Sequence, residues 1–146
     1  MLALAATWRE SATPVATTAV LADPLLARYV SGWQRPDDAG VIAEDANGGA
    51  VGAAWYRYFS VDEPGFGFVA PTTPEVSIAV VPGLRGAGIG ESLLRGLITV
   101  AQTSGVRQLS LSVEQDNPAR RLYDRMGFIS VGSGEGAVTM VLALAD

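Results

Sequence analysis

The chain has 146 residues, 49% hydrophobic and 17% charged, which suits one domain with a proper apolar core and not a disordered segment. Its net charge of -5 argues against a basic face for nucleic acid. The sequence holds no Cys, His or Lys. Disulfides, thiolate or imidazole metal sites, Cys nucleophiles and Ser-His-Asp triads are therefore excluded. Acid–base chemistry falls to Asp, Glu, Tyr, Arg, backbone and water.

Residues 2–8 read as a first strand. The apolar run is too short for a signal peptide and lacks a basic start. No run reaches transmembrane length, so a soluble cytoplasmic protein is expected. Asp23 reads as an N-cap and Pro24 as the first helical residue. Leu25, Leu26, Tyr29 and Val30 then form a helical stripe up to Gly32. Residues 40–45 read as a strand, Asn47-Gly48-Gly49 as a hairpin turn, and residues 50–59 as the returning strand. Trp55, Tyr56, Arg57 and Tyr58, with Trp33 and Phe66, are candidates for an aromatic wall around an amine-bearing acceptor. Strand alternation sends half of them elsewhere, and core packing for Trp55 with an exposed Arg57 is the alternative. Residues 60–74 are rich in Pro and Gly, and suit either a lid or a disordered connector.

Residues 75–81 form a near-continuous apolar strand opened by Glu75, as expected at a sheet centre. A Gly-rich turn follows, then a helix over residues 88–104. Ile89, Leu93, Leu94, Leu97, Ile98 and Ala101 line one side of it, and Gly105 ends it. That order makes an anion site, because uncovered backbone N–H groups and the helix dipole both favour a pyrophosphate. A Walker A loop needs a lysine, so that reading fails. Gly86 and Gly88 fit the first two glycines of the dinucleotide fingerprint, and Glu114 mimics its ribose-binding acid, but Glu91 stands at the third glycine. The acyl-coenzyme A loop, Gln/Arg-x-x-Gly-x-Gly/Ala, is met in register by Arg85, Gly88 and Gly90. A plain glycine turn is the remaining alternative.

Leu109, Leu111 and Val113 alternate with Ser110 and Ser112 in a strand closed by Glu114. Asn117 as N-cap and Pro118 open a helix that runs to Met126 and stops at Gly127. Leu122 and Met126 share a face expected to bury, while Ala119 and Tyr123 share a neighbouring face. Final strands cover residues 128–131 and 137–144. With no repeat and no linker, residues 1–146 read as one α/β domain with a mixed sheet.

The run VVPGLRGAGIGESLL, followed by LSLSVEQDNPARRLYDRMGF, closely resembles motifs A and B of the GCN5-related N-acetyltransferase (GNAT) superfamily, over about the second half of the chain. The resemblance implies a single-domain GNAT-like fold with a mixed sheet of about seven strands and about four flanking helices. The sheet should splay between two central parallel strands ending near Val81 and Val113. Acetyl-CoA is the implied cofactor. Arg85, Gly86, Ala87, Gly88, Ile89 and Gly90 would hold its pyrophosphate, and backbone groups of Val80 and Val81 its pantetheine arm, with Asn117 alongside. Tyr123 would point at the sulfur and protonate the departing thiolate; its alternative is an ordinary core tyrosine. Glu75 matches the strand carboxylate that serves relatives as base, often through water. A solvated strand end is its alternative, and Glu114 is the rival base. Ser112 stands where acetyltransferases of ribosomal-protein N-termini carry a catalytic Glu, a departure from that subgroup.

The implied activity is acetyl transfer to a primary amine of a small molecule, peptide or protein, by direct attack. Homodimers are common among look-alikes. A non-catalytic acyl-CoA sensor on the same fold and a nucleotide-dependent oxidoreductase are the rivals. The presence of Glu75, Asn117 and Tyr123 weighs against the first, and Glu91 against the second.

Overall fold

The structure, a computed structural model, describes residues 27–84 and 88–144. Among these, the strands are β1 (Ala39–Glu44), β2 (Ala50–Arg57), β3 (Glu75–Val80), β4 (Gln108–Glu114), β5 (Ile129–Gly134) and β6 (Ala137–Ala143). The helices are α1 (Ile89–Thr103) and α2 (Ala119–Met126). The strands form one sheet in the order β1-β2-β3-β4-β6-β5, antiparallel except at β3–β4.

The expected seven strands and four helices are thus not matched; the described residues hold six and two. The strand expected over residues 2–8 lies outside them, as does the helix start at Asp23-Pro24 with Leu25 and Leu26. What the structure describes of that helix is its last turn. The Ser31 amide donates to the Ala27 carbonyl at 2.8 Å, and Gly32 turns out of the helix at φ 68°.

Local chemistry fixes the connections. In the β1–β2 hairpin, Asp45 Oδ1 accepts from the Asn47 and Gly49 amides, both at 2.9 Å, as an Asx turn. In the β5–β6 hairpin, Glu135 and Gly136 both take positive φ, the combination that matches strand twist. α1 and α2 end at Gly105 and Gly127 in the left-handed region, as the sequence predicts.

The sheet has two buried faces. On one, α1 lays Leu93, Leu94, Leu97 and Ala101 over β1, β2 and β3. Each leucine is at most 4% exposed, and burying each contributes about 1.5–3 kcal/mol. Gly52 permits that approach, since a Cβ there would sit 2.9 Å from Leu93 Cδ1. Leu109, Leu111, Val113, Tyr123, Phe128, Val138 and Met140 continue the same core. The opposite face carries Trp55, Arg57, Glu75 and Ser110, the partners in register across β2, β3 and β4. Residues 27–31 cover it.

One break in this sheet matters most. β3 and β4 share a single paired position, Glu75 with Ser110, where the Ser110 amide donates to the Pro74 carbonyl at 3.0 Å. Beyond it the two parallel strands part. The expected splay lies where the resemblance puts it.

Candidate active site

Glu75 sits at the closed end of that splay. It is 3% exposed, so it is no solvated strand end. Its Oε2 accepts from the Tyr29 hydroxyl at 2.5 Å and its Oε1 from the Gly67 amide at 3.0 Å. Burial pushes its carboxyl up to about 7 against the pull of those two hydrogen bonds. A buried carboxyl tuned to neutral pH, at the closed end of a gap between two strands, has the form a general base takes.

The loop of residues 60–74 docks here and is not a loose connector. Gly67 lies so close to β4 that a Cβ would come within 2.5 Å of the Leu111 carbonyl carbon. A Cβ on Gly65 would come within 2.3 Å of Glu75 Oε1. Between them the Phe66 amide donates to the Tyr29 hydroxyl at 2.8 Å, and its ring stacks on Tyr29 at 6.2 Å with 56% exposure. Arg28 Nη1 holds the Pro64 carbonyl at 2.9 Å.

The expected anion loop is described in part. Arg85, Gly86 and Ala87 lie outside the described residues. Gly88 caps α1 at φ 85°, and nothing stands within 4 Å of the place a Cβ would take. Among the described residues, the Gly88 backbone at the start of α1 is therefore left uncovered. Register separates Val80 from Val81. The Val81 amide bonds the Val51 carbonyl at 2.9 Å, so it is turned toward β2 and does not face the splay. By alternation the backbone groups of Val80 and Ile78 point the other way, toward β4. The Val81 amide is thus turned away from the gap, contrary to expectation, whereas the Val80 backbone is turned toward β4.

Tyr123 comes from α2 on the α1 side of the sheet. It is 6% exposed and packs against Phe128 at 5.8 Å. Leu122 and Met126, expected to bury, are only half-buried, and Tyr123 is the residue that α2 drives into the core. Burial pushes its phenol up, which keeps it protonated. Asn117 Oδ1 accepts the Ala119 amide at 2.9 Å and so fixes the start of α2. Glu91 joins α1 to α2 through Arg125 at 3.0 Å and pairs with Arg95 within α1 at 3.3 Å, and the Arg125 hydrogen bond leads in holding it below its ordinary range. Glu114 closes β4 and is half-buried.

The aromatic wall does not assemble as one surface. Trp33 and Trp55 line a cavity of about 480 Å³ with Val30, Gln34, Gly40 and Val41, but Tyr56 turns to the α1 face. Arg57, expected to be exposed, is 1% exposed. It forks onto Asp38 at 2.6 and 3.0 Å and donates to the Arg28 and Ser31 carbonyls. Burial pushes Asp38 up, but hydrogen bonds from Arg57 and the Arg35 amide outweigh it and hold Asp38 low. Tyr29, Asp38, Gly65 and Gly67 were not singled out as site or support residues. The Gly-Phe-Gly triplet inside a long loop was the one local signal of them.

A family model described as the Acetyltransferase (GNAT) family matches residues 4–128. The [ribosomal protein bS18]-alanine N-acetyltransferase of Haemophilus influenzae is 37% identical over 79 residues, 47% of this chain and 54% of that protein. The chain thus spans about half the length of this curated relative. An N-acetyltransferase from Staphylococcus aureus Mu50 shares the fold with a TM-score of 0.65 and 27% identity, over 77% of this chain and 71% of that one. A phosphinothricin acetyltransferase from Sinorhizobium meliloti, solved in complex with acetyl-CoA, aligns with a TM-score of 0.58 and 25% identity, over 72% and 60% of the two chains.

Proposed function

The chain belongs to the acetyltransferase (GNAT) family, and we propose that it moves the acetyl group of acetyl-CoA to a primary amine of a small molecule or peptide. The observation that carries this reading is the parting of β3 from β4 directly after Glu75. A glycine-capped helix start lies beyond one strand, and Tyr123 packs in the core beside the other.

When bound, acetyl-CoA supplies the thioester carbon that accepts the amine. Gly88, Ile89 and Gly90 at the start of α1, with Arg85, Gly86 and Ala87, hold the pyrophosphate through backbone N–H groups. Val80 would hold the pantetheine arm through its backbone, with Asn117 beside it. Glu75 takes the amine proton, directly or through one water. The bound thioester would supply an acetyl carbon for the amine nitrogen to attack with loss of the thiolate, and the Tyr123 hydroxyl would be the proton donor at that sulfur. A carboxyl at about 7 is charged often enough at neutral pH to accept a proton, and basic enough to want it. Positioning supplies most of the rate.

The test is amine-dependent release of free thiol from acetyl-CoA across a panel of amino acids, diamines and peptides. The chain has no Cys, so a thiol reagent reads product without background. Sequential kinetics are expected with the accepted amine. Ping-pong kinetics would refute direct attack, and absence of acetyl-CoA binding by calorimetry would refute the assignment itself.

A further inference from the structure

Tyr29 and Glu75 are 46 positions apart in the chain, yet their side chains share a hydrogen bond inside the protein. The Tyr29 hydroxyl has two partners with opposite demands. It accepts from the Phe66 amide and donates to Glu75 Oε2. The Gly67 amide donates to the other carboxylate oxygen. Glu75 is thus faced by two donors, an arrangement that suits the charged carboxylate. A protonated Glu75 would accept both hydrogen bonds more weakly and add a donor of its own to a site whose groups already donate.

The groups around Glu75 add no competing charge pair. Tyr29 and its neighbour Arg28 come from the turn over residues 27–31, and Arg28 is bonded to Pro64. Arg57 stands opposite Glu75 on β2, with its guanidinium committed to Asp38. Ser110 on β4 is uncharged, and its Oγ is enclosed without a partner. The loop contributes backbone only, because no side chain fits at Gly65 or Gly67. Trp55 Nε1 fixes the Tyr29 backbone from β2 at 3.1 Å, and Phe59 meets its ring edge-on at 5.1 Å.

We propose that Tyr29 is a positioning residue for Glu75, whose hydroxyl makes the charged carboxylate and the seated Gly65–Phe66–Gly67 turn one state. The exposed Phe66 ring is then held beside the splay only while the base is competent, so acceptor binding and base readiness rise together. This rests on Glu75 being the base.

The experiment is a carbon-13 NMR titration of glutamate side chains in the full chain, with the Glu75 signal identified by its loss in Glu75→Gln. The Tyr29→Phe protein keeps the ring and loses the hydroxyl. Its Glu75 midpoint should rise by roughly half a pH unit or more, about threefold in proton affinity. The acid limb of kcat/KM should move with it, and the acceptor KM should rise more than kcat falls. Gly67→Ala should raise the same midpoint from the loop side, which keeps the test decisive if Tyr29→Phe fails to fold. An unmoved midpoint in folded Tyr29→Phe overturns the role of Tyr29, and an unmoved midpoint in folded Gly67→Ala overturns the coupling of the turn to the carboxylate. A midpoint that moves while the acid limb stays in place instead removes Glu75 as base, and leaves Tyr29 a structural residue.

Discussion

Replacing Glu75 with Gln should change the pH dependence of stability in a direction opposite to that of most carboxylates. Moving a carboxyl from its ordinary 4.5 to about 7 is worth about 3 kcal/mol between its two protonation states. The sign follows from proton counts. Between pH 4.5 and about 7 the folded protein keeps a proton on Glu75 that the unfolded chain has released. Stability therefore falls as pH rises through that window, by about 3 kcal/mol in total, and levels off above it. Below the window the carboxyl is neutral in both states and makes no difference. Asp38 acts the other way: its held-down carboxyl stabilises the fold at higher pH, and that contribution is lost as pH falls through its own lower range.

The measurement is urea unfolding followed by tryptophan fluorescence from pH 4 to 8.5, for wild type and Glu75→Gln. Asp38 is common to both proteins and cancels. The difference, wild type minus variant, should decline toward high pH by about 3 kcal/mol with its steepest part between 4.5 and 7. A constant offset from the amide substitution does not matter, because the shape carries the result. A flat difference, or one that grows with pH, would refute the claim that burial outweighs the two hydrogen bonds on Glu75.

Tyr123→Phe should lower turnover on the order of 10²-fold, the low end for general acid catalysis because a thiolate leaves fairly well unaided. The melting temperature should hold, since the ring still packs on Phe128; full activity in the variant would return Tyr123 to an ordinary core role. Gly88→Ala and Gly90→Ala make a contrast within one turn. Gly88 is left-handed with open space around it, so alanine there costs about 1–2 kcal/mol of backbone strain and should weaken acetyl-CoA binding at least about tenfold by calorimetry. Gly90 lies inside α1 with only Leu122 near its missing Cβ, at 3.6 Å, and the acyl-CoA loop pattern accepts alanine there. Gly90→Ala should therefore bind normally and gain about 0.5–1 kcal/mol of helix stability. Equal losses in both would show that helix disturbance, and not phosphate approach, sets the affinity.

What could be read from the sequence was local. Gly105 and Gly127 as helix stops, Asn117 as a cap, and the order of strand, glycine turn and helix each depend on residues within a turn of one another. The parity of Val80 and Val81 was not local. The motif names both, but only the pairing of Val81 with Val51, across a hairpin and a long loop, decides which one faces the splay. Arg57 misled for the same reason. A charged residue near a strand end reads as exposed until Asp38, 19 positions earlier and in a loop, is found to neutralise it. Tyr29 belonged to a helical stripe on any periodicity argument. That placed its ring correctly and gave no account of its hydroxyl, whose partners lie in a loop and a strand far along the chain.

The placement of the proposed acid and base follows from strand alternation. Glu75 is in register with Arg57 and Ser110, on the face covered by residues 27–31, whereas Tyr123 packs with Leu111 and Val113 on the face covered by α1. In an intact sheet a continuous ladder of backbone hydrogen bonds would separate the two side chains, and no single reacting group could meet both. The ladder stops after one paired position, so on the proposed mechanism the gap between β3 and β4 would let a proton acceptor on one face and a proton donor on the other serve the same carbon–sulfur bond. Gly67 seats directly on the β4 backbone at Leu111 and Ser112, near the point where pairing ends. Its missing side chain leaves that backbone within reach of the loop, and the loop in turn holds the Glu75 carboxylate at the end of the gap.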